Sequence, residues 1–403
     1  MKAVMYGGGN IGRGFISMLF SASGYDVAIV DVVDTVVETL NREHQYPVRI
    51  LSNSGHQDVD VKNISAVDGK NPDAVADAIA EADIMATAVG ARILPFIVPN
   101  IVAGLRKRWA MGKAPLNIII CENLMDANKV LEGMLKEKLT VEEQTLLDET
   151  VGLVEASIGR MVPVQTEEMK DGNPLRVCVE SYGFLPVDKA AFKGEIPAIK
   201  DMVPFEPFDF YIKRKLYIHN MGHATCAYLG DLLSLQYIYE AIDVADIRVI
   251  VQNAMLESAH ALSDKYGVEL AQITCHIEDL LFRFTNAALK DTCARVGGDP
   301  ARKLSAQDRL VGSAMLAQGM GVIPAYIAVG AAAGLYRLVK ENEQAQTKEN
   351  GKNLLLETSG MDADNGFACL VLELYQMILD GCTIADLRRY AENQKAAHRA
   401  KVI

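Results

Sequence analysis

The chain has 403 residues, half of them hydrophobic, and a formal net charge of −12. That length can bury a sizeable core in two domains, and acidic residues spread along it argue against nucleic acid or an anionic membrane as the main partner. Seven cysteines stand far apart with no CxxC pair, which points to reduced thiols in a cytoplasmic protein rather than a disulfide framework or a zinc knot.

The opening residues, MKAVMYGGGNIGRG, lack the pattern of a signal peptide. Residues 2–6 read as a short strand, followed by a glycine turn, a helix over FISMLFSAS, and a second strand, YDVAIVD, that ends at Asp31. Gly7, Gly9 and Gly12, with Asn10 and Ile11 between the last two, fit the fingerprint of a dinucleotide-binding turn. The glycines permit the tight turn, the approach of a pyrophosphate and the packing of helix on strand, while the helix start favours an anion. Asp31, 19 positions beyond Gly12, can bind both hydroxyls of the adenosine ribose and repel a 2′-phosphate, so NAD is expected over NADP.

Strands are predicted again over ADIMATAV and LNIIICEN, and Gly90 and Asn123 at their ends are candidates to line the nicotinamide side. Residues 152–163 and 174–183 read as further strands that close this domain. Residues 185–205, rich in proline and without steady periodicity, read as a connection. The expected architecture is α/β: a Rossmann-like NAD-binding domain over residues 1–195, then a mainly α-helical substrate domain over 196–403.

In the second half, segments such as DIRVIVQNAMLESAHALSDKYG repeat apolar residues at helical spacing. The uncharged run over residues 319–336 contains Pro324 and many small residues, so it reads as a buried helix rather than a membrane span. Residues 341–353 read as a solvated loop. The stretch KLYIHNMGH, residues 215–223, stands apart. At ~100° per residue, His219, Asn220 and His223 lie ~40°, ~140° and ~80° around a helix from Lys215. A lysine that burial pushes toward neutral can take an alcohol proton, while Asn220 and His223 donate hydrogen bonds to the oxygen, chemistry that needs no metal. His219 and His223 have the spacing of a helical metal pair, but Asn220 stands where a zincin has its Glu, and no third ligand is evident.

Lys215, Asn220 and His223 also match Lys-x4-Asn-x2-His, and with GGGNIGRGF, ATAVGA, CEN and RVGGDPARKLSAQDRL the chain resembles the polyol-specific long-chain dehydrogenases. The resemblance implies NAD-dependent interconversion of a polyol and a ketose, with Lys215 as general base and a monomer or weak oligomer. Its early first strand is similar to the branch that uses sugar phosphates. Two positions depart from that branch: Gly159 stands where an acid is common, and Gly298 where an Arg is common. For a phosphate, Arg302, Lys303 and Arg309 form a dense basic cluster, with Arg160 and Arg214 as further candidates. The same cluster can instead pair with Asp299 and Asp308. Glu155 is a candidate to orient a hydroxyl or carry a proton. A dehydrogenase of an unphosphorylated polyol or hexuronate, or an NAD-binding regulatory protein without catalysis, are the other readings.

Overall fold

The computed structural model describes residues 1–402, with side chains through His398. They form two compact units, one from Met1 to Asp209 and one from Phe210 onward. The first unit contains strands β1 (Lys2–Tyr6), β2 (Asp26–Asp31), β3 (Gln45–Ser52), β4 (Gly55–Lys62), β5 (Ile64–Asp68), β6 (Ile84–Thr87), β7 (Leu116–Ile120), β8 (Val151–Glu155), β9 (Val177–Glu180), β10 (Leu185–Asp188) and β11 (Met202–Phe205). Its helices are α1 (Ser17–Ala22), α2 (Asp34–Glu43), α3 (Pro72–Glu81), α4 (Leu94–Ala110), α5 (Ala127–Lys136), α6 (Val141–Thr150) and the short α7 (Glu167–Lys170).

Six strands form one parallel sheet in the order β5-β2-β1-β6-β7-β8, the doubly wound arrangement expected of a dinucleotide-binding fold. Strands such as IMAT and LNIII are buried along their whole length because helices cover both faces. The strand order reverses between β1 and β6, so the loops after these two strands flank the crevice where ligands of this fold class bind.

The structure differs from the sequence expectation in several places. β8 stops at Glu155, and residues 156–163 form no further strand apart from a single bridge at Ala156. β9 pairs not with the large sheet but with β3, whose antiparallel partner β4 completes a separate three-stranded sheet. The 185–205 segment is not a bare connection, since β10 and β11 pair in parallel within it.

One buried cation ties the large sheet together. Arg108, in the last turn of α4 and 4% exposed, donates to the carbonyls of Ala80 (3.1 Å), Ala82 (2.6 Å), Ala114 (2.9 Å) and Pro115 (3.2 Å). It thereby satisfies the chain ends that lead into β6 and β7.

The second unit is helical: α8 (Asp209–Arg214), α9 (Met221–Leu232), α10 (Ile238–Asp243), α11 (Ala245–Tyr266), α12 (Leu270–Phe284), α13 (Cys293–Gly297), α14 (Pro300–Lys303), α15 (Val311–Gly319), α16 (Ala325–Glu341), α17 (Lys348–Ser359), α18 (Gly366–Leu379) and α19 (Ile384–Val402). α9 is buried on nearly every side because small residues let its neighbours close in. A Cβ on Gly222 would meet Met255 of α11 at 2.0 Å, and one on Gly330 of α16 would meet Thr225 at 2.2 Å. α16 takes up most of the uncharged run, is buried through that part and extends beyond it to Glu341; two of its first N–H groups, those of Tyr326 and Ile327, are capped by the Glu257 carboxylate from α11. Among the described residues no helix is long and apolar enough to cross a membrane. The 341–353 stretch is only in part a loop, since α17 begins at Lys348, capped by Thr347.

Arg108→Leu should strip four carbonyls of their donor and lower the stability of the first unit by about 3 kcal/mol. Trp109, the sole tryptophan, lies beside it on α4, so its fluorescence during urea unfolding reads the effect directly. A midpoint indistinguishable from wild type would refute the role given to Arg108.

Candidate active site

In the first unit the glycine turn follows β1. Gly7 has φ +105°, and a Cβ there would meet the Ala88 carbonyl at 2.6 Å. Gly12 is packed onto the turn, since its Cβ would lie 1.9 Å from the Gly7 carbonyl oxygen. A Cβ on Gly9 would meet no protein atom within 4 Å. The chain itself therefore makes no steric demand for glycine at that exposed position. Asn10 is exposed beside it and Ile11 half-buried. The helix opens with a π turn, Gly12–Ile16, in which the Ser17 N–H bonds back to the Gly12 carbonyl.

Two supports of this turn escaped the sequence analysis. Gly8 donates its N–H to Asp31 Oδ2 at 3.0 Å, while Val33 N–H reaches Oδ1 at 2.9 Å, so the carboxylate is held in one orientation at the end of β2. A Cβ on Gly8 would press to 2.6 Å from that carboxylate. Beneath the turn, buried Arg13 donates to the Gly8 carbonyl at 2.6 Å and to the Leu175 carbonyl at 2.5 Å.

Gly90, φ +91°, follows β6, and Asn123 is exposed after β7. The side chain that organises these ends is the intervening Glu122, 7% exposed, which accepts from Val89 N–H (3.0 Å) and Gly90 N–H (2.7 Å). The sequence signal for it was its place at the end of a buried strand, next to Asn123.

In the second unit Lys215 and Asn220 belong not to an α-helix but to a π turn, Lys215–Asn220, that runs into α9. Its i→i+5 pattern carries Asn220 back toward the azimuth of Lys215, closer than the ~140° of an α-helix. Both side chains are half-buried, and among the described residues neither has a hydrogen-bond or ion-pair partner. Burial first, and then the Arg309 guanidinium, lower the Lys215 ammonium to about 8.

His223, in the first turn of α9, stacks on Phe284 with ring centroids 4.8 Å apart, and its Nε2 lies 3.3 Å from Asp291 Oδ2. His219 is buried, 6.0 Å from the His223 ring, and its imidazole is held well below its ordinary range by burial and by Arg283 nearby. Among the described residues no three His, Cys, Asp or Glu side chains converge as a metal site.

The basic candidates separate. Arg302 bonds Asp299 (2.6 Å) and Asp308 (3.1 Å), and Arg309 bonds Asp308 (2.8 Å). Lys303 is 4% exposed, and among the described residues it has no ion pair; burial, then Arg309 and Arg302, lower it to about 8. Arg214 lies over the Tyr211 ring at 4.5 Å. Arg160 is in the first unit, over the Phe15 ring at 4.6 Å and bonded to the Gly14 and Tyr182 carbonyls. Glu155 accepts from Ala127 N–H at the start of α5, and burial raises its carboxyl. A Cβ on Gly159 would meet the Tyr182 ring at 3.0 Å, so an acid there would crowd this loop, whereas Gly298 faces only backbone carbonyls of α13.

Known proteins agree with this organisation. The family pattern described as the mannitol dehydrogenase Rossmann domain matches residues 1–201, and that described as the mannitol dehydrogenase C-terminal domain matches residues 208–363. The crystal structure of a D-sorbitol dehydrogenase in substrate-free form superposes with a TM-score of 0.81 at 14% identity, covering 96% of this chain and 94% of that one. A Pseudomonas fluorescens mannitol 2-dehydrogenase, solved as a ternary complex with NAD and D-mannitol, gives 0.72 at 15% identity over 97% and 94% of the two chains. At such identities the likeness is one of fold.

Glu122→Ala should release the Val89 and Gly90 N–H groups and weaken NADH binding about tenfold, the worth of one charge-assisted bond. Titration of nicotinamide fluorescence checks this. An unchanged affinity would separate the Gly90 loop from the dinucleotide site.

Proposed function

The chain belongs to the mannitol dehydrogenase family, and on that premise we propose that it oxidises a polyol phosphate to a ketose phosphate with NAD, and reverses the reaction, as a mannitol-1-phosphate 5-dehydrogenase does. The observation that carries the reading is Lys215: an ammonium lowered to about 8, with no hydrogen-bond or ion-pair partner among the described residues, one π turn from an Asn220 that likewise has none there.

Gly7, Gly9, Asn10, Ile11 and Gly12 form the cradle for the pyrophosphate of NAD, and Asp31 receives the adenosine ribose with an orientation fixed by Gly8 and Val33. Gly90 and Asn123 face the nicotinamide end. The nicotinamide supplies the hydride acceptor in oxidation and the donor in reduction. Lys215, neutral, takes the proton of the alcohol O–H as the C–H leaves as hydride; protonated, it returns that proton in ketone reduction. The Asn220 amide donates to the reacting oxygen, whose negative charge grows as the proton leaves. His223 completes the polar wall with a hydrogen bond to the substrate.

The phosphate preference rests on Lys303. Lys303 is buried and forms no ion pair among the described residues; Asp299 and Asp308 offset only part of what burial, Arg309 and Arg302 take from its ammonium, so it suits an incoming phosphate. The structure also supports a second reading. Asp299 and Asp308 already occupy Arg302 and Arg309, as they would in a dehydrogenase of an unphosphorylated polyol or hexuronate. NADH consumption with fructose 6-phosphate, fructose and fructuronate in parallel decides between them.

Lys215→Ala should lower turnover about 10²-fold or more while NADH still binds. In the wild type the base form is required for oxidation, so the oxidation rate should rise with pH to a midpoint near 8 while the reduction rate falls through the same point. A Lys215→Ala enzyme with wild-type turnover would remove Lys215 from the chemistry. Lys303→Ala should raise KM for fructose 6-phosphate about tenfold or more, since it removes one charged contact to phosphate, and leave any activity on fructose unchanged. Equal effects on both sugars would reject the phosphate reading.

A further inference from the structure

Asp291 lies outside the Lys-x4-Asn-x2-His motif, yet its carboxylate stands beside the buried nitrogen of His223. Its Oδ2 lies 3.3 Å from His223 Nε2, an ion-pair distance, and that buried nitrogen makes no hydrogen bond of full geometry to any described residue. The His223 side chain keeps 13% exposure although Nε2 itself is sealed, so its open surface lies elsewhere on the ring. Phe284, stacked at 4.8 Å with an 18° tilt, prevents the ring from swinging away. Asp291 is itself firmly placed. Its carbonyl accepts from Ile238 N–H at 2.9 Å, Thr292 bridges to Tyr237, and Cys293 N–H reaches the Gln236 carbonyl at 2.9 Å. Arg295 donates to the other carboxylate oxygen, Oδ1, from Nε (2.8 Å) and Nη2 (2.5 Å), leaving Oδ2 for the imidazole.

We propose that Asp291 is a positioning residue that holds the His223 Nε2–H and leaves Nδ1 as the nitrogen open to substrate. The partner of one ring nitrogen sets which nitrogen carries the proton. A carboxylate can only accept, so in the neutral ring the proton sits on Nε2 and Nδ1 presents a lone pair. That lone pair accepts from a hydroxyl and has nothing to offer a ketone oxygen. The two polar neighbours of Lys215 thus divide the substrate: Asn220 donates to the reacting oxygen, and His223 accepts from a hydroxyl beside it. This selects substrates with adjacent hydroxyls, the defining feature of a polyol. Burial works against ionisation of Asp291, but His223 and Arg295 outweigh it and hold the carboxyl below its usual range, so the acceptor persists at neutral pH.

This inference rests on the dehydrogenase reading, and the experiments separate the two. In 15N-histidine NMR spectra of the whole protein, the resonances lost on His223→Asn should report the Nε2–H tautomer in the wild type; the Nδ1–H tautomer would overturn the inference and leave the dehydrogenase reading intact. In kinetics, Asp291→Asn should lower kcat/KM about tenfold or more. Adding it to His223→Asn should cost nothing further. Arg295→Gln, which removes the other partner of the same carboxylate, is the control for a merely structural role. If it reproduces the whole defect, or if the losses from Asp291→Asn and His223→Asn multiply, Asp291 does not act through His223. Failure of the dehydrogenase reading shows elsewhere, as wild-type turnover in Lys215→Ala.

Discussion

A lysine ammonium placed among packed helices with a guanidinium for its neighbour is the constraint on which the second unit turns. Left in water, Lys215 would stay protonated up to about 10.4 and could not act as a base near neutrality. Burial removes part of its hydration, and Arg309 adds like-charge repulsion, so the group reaches about 8. Such a group is costly, and the fold around it is correspondingly dense: α9 is buried on nearly every side, with α11 and α16 drawn close by Gly222 and Gly330. The π turn belongs to the same arrangement. It adds one residue to the turn and brings Asn220 closer to the azimuth of Lys215 than an uninterrupted α-helix would.

The first unit solves a complementary problem with opposite charges. On the proposed reading, Asp31 must remain an oriented carboxylate beside a loop that receives another anion. It does so by taking two backbone N–H groups, from Gly8 and Val33, while Arg13 supplies positive charge under the turn without reaching its surface. Glycine at position 8 is then required by the carboxylate, glycine at 12 by the carbonyl of Gly7, and glycine at 9 by nothing within the chain. Two glycines of one short run thus answer to two different neighbours, while the space beside the third is open.

Much of this was legible in the sequence because it is written in local pattern. Buried parallel strands are apolar throughout, the glycine turn sits between strand and helix, and Lys215, Asn220 and His223 lie within nine residues. What escaped has a physical reason in each case. β4 is almost wholly exposed, so HQDVDVK carries no apolar run to betray a strand. The π turns have no sequence signal of their own, since neither glycine nor proline enforces the one at Lys215. Glu122 and Asp291 act through neighbours 32 or more residues away, at Gly90, Val89 and His223, and no spacing rule reaches that far. The basic run at 302–309 looked uniform in sequence. Folding sorted it by partner, pairing both arginines with Asp299 and Asp308 and leaving Lys303 without an ion pair among the described residues.

That sorting gives the two lysines a common electrostatic origin. Lys215 and Lys303 are both lowered to about 8, burial is the leading cause for each, and Arg309 is the next for each. Asp308 neutralises Arg309 only in part, because its carboxylate is shared with Arg302. On the proposed reading, a phosphate that settles against Lys303 and Arg309 offsets the same field that keeps Lys215 low. The bound substrate then raises the affinity of Lys215 for its proton, which favours the donor form needed for ketone reduction. A substrate without phosphate leaves the field as it is. Substrate charge and proton transfer are coupled through one guanidinium, so the phosphate received by Lys303 and Arg309 also adjusts the base that acts on the substrate.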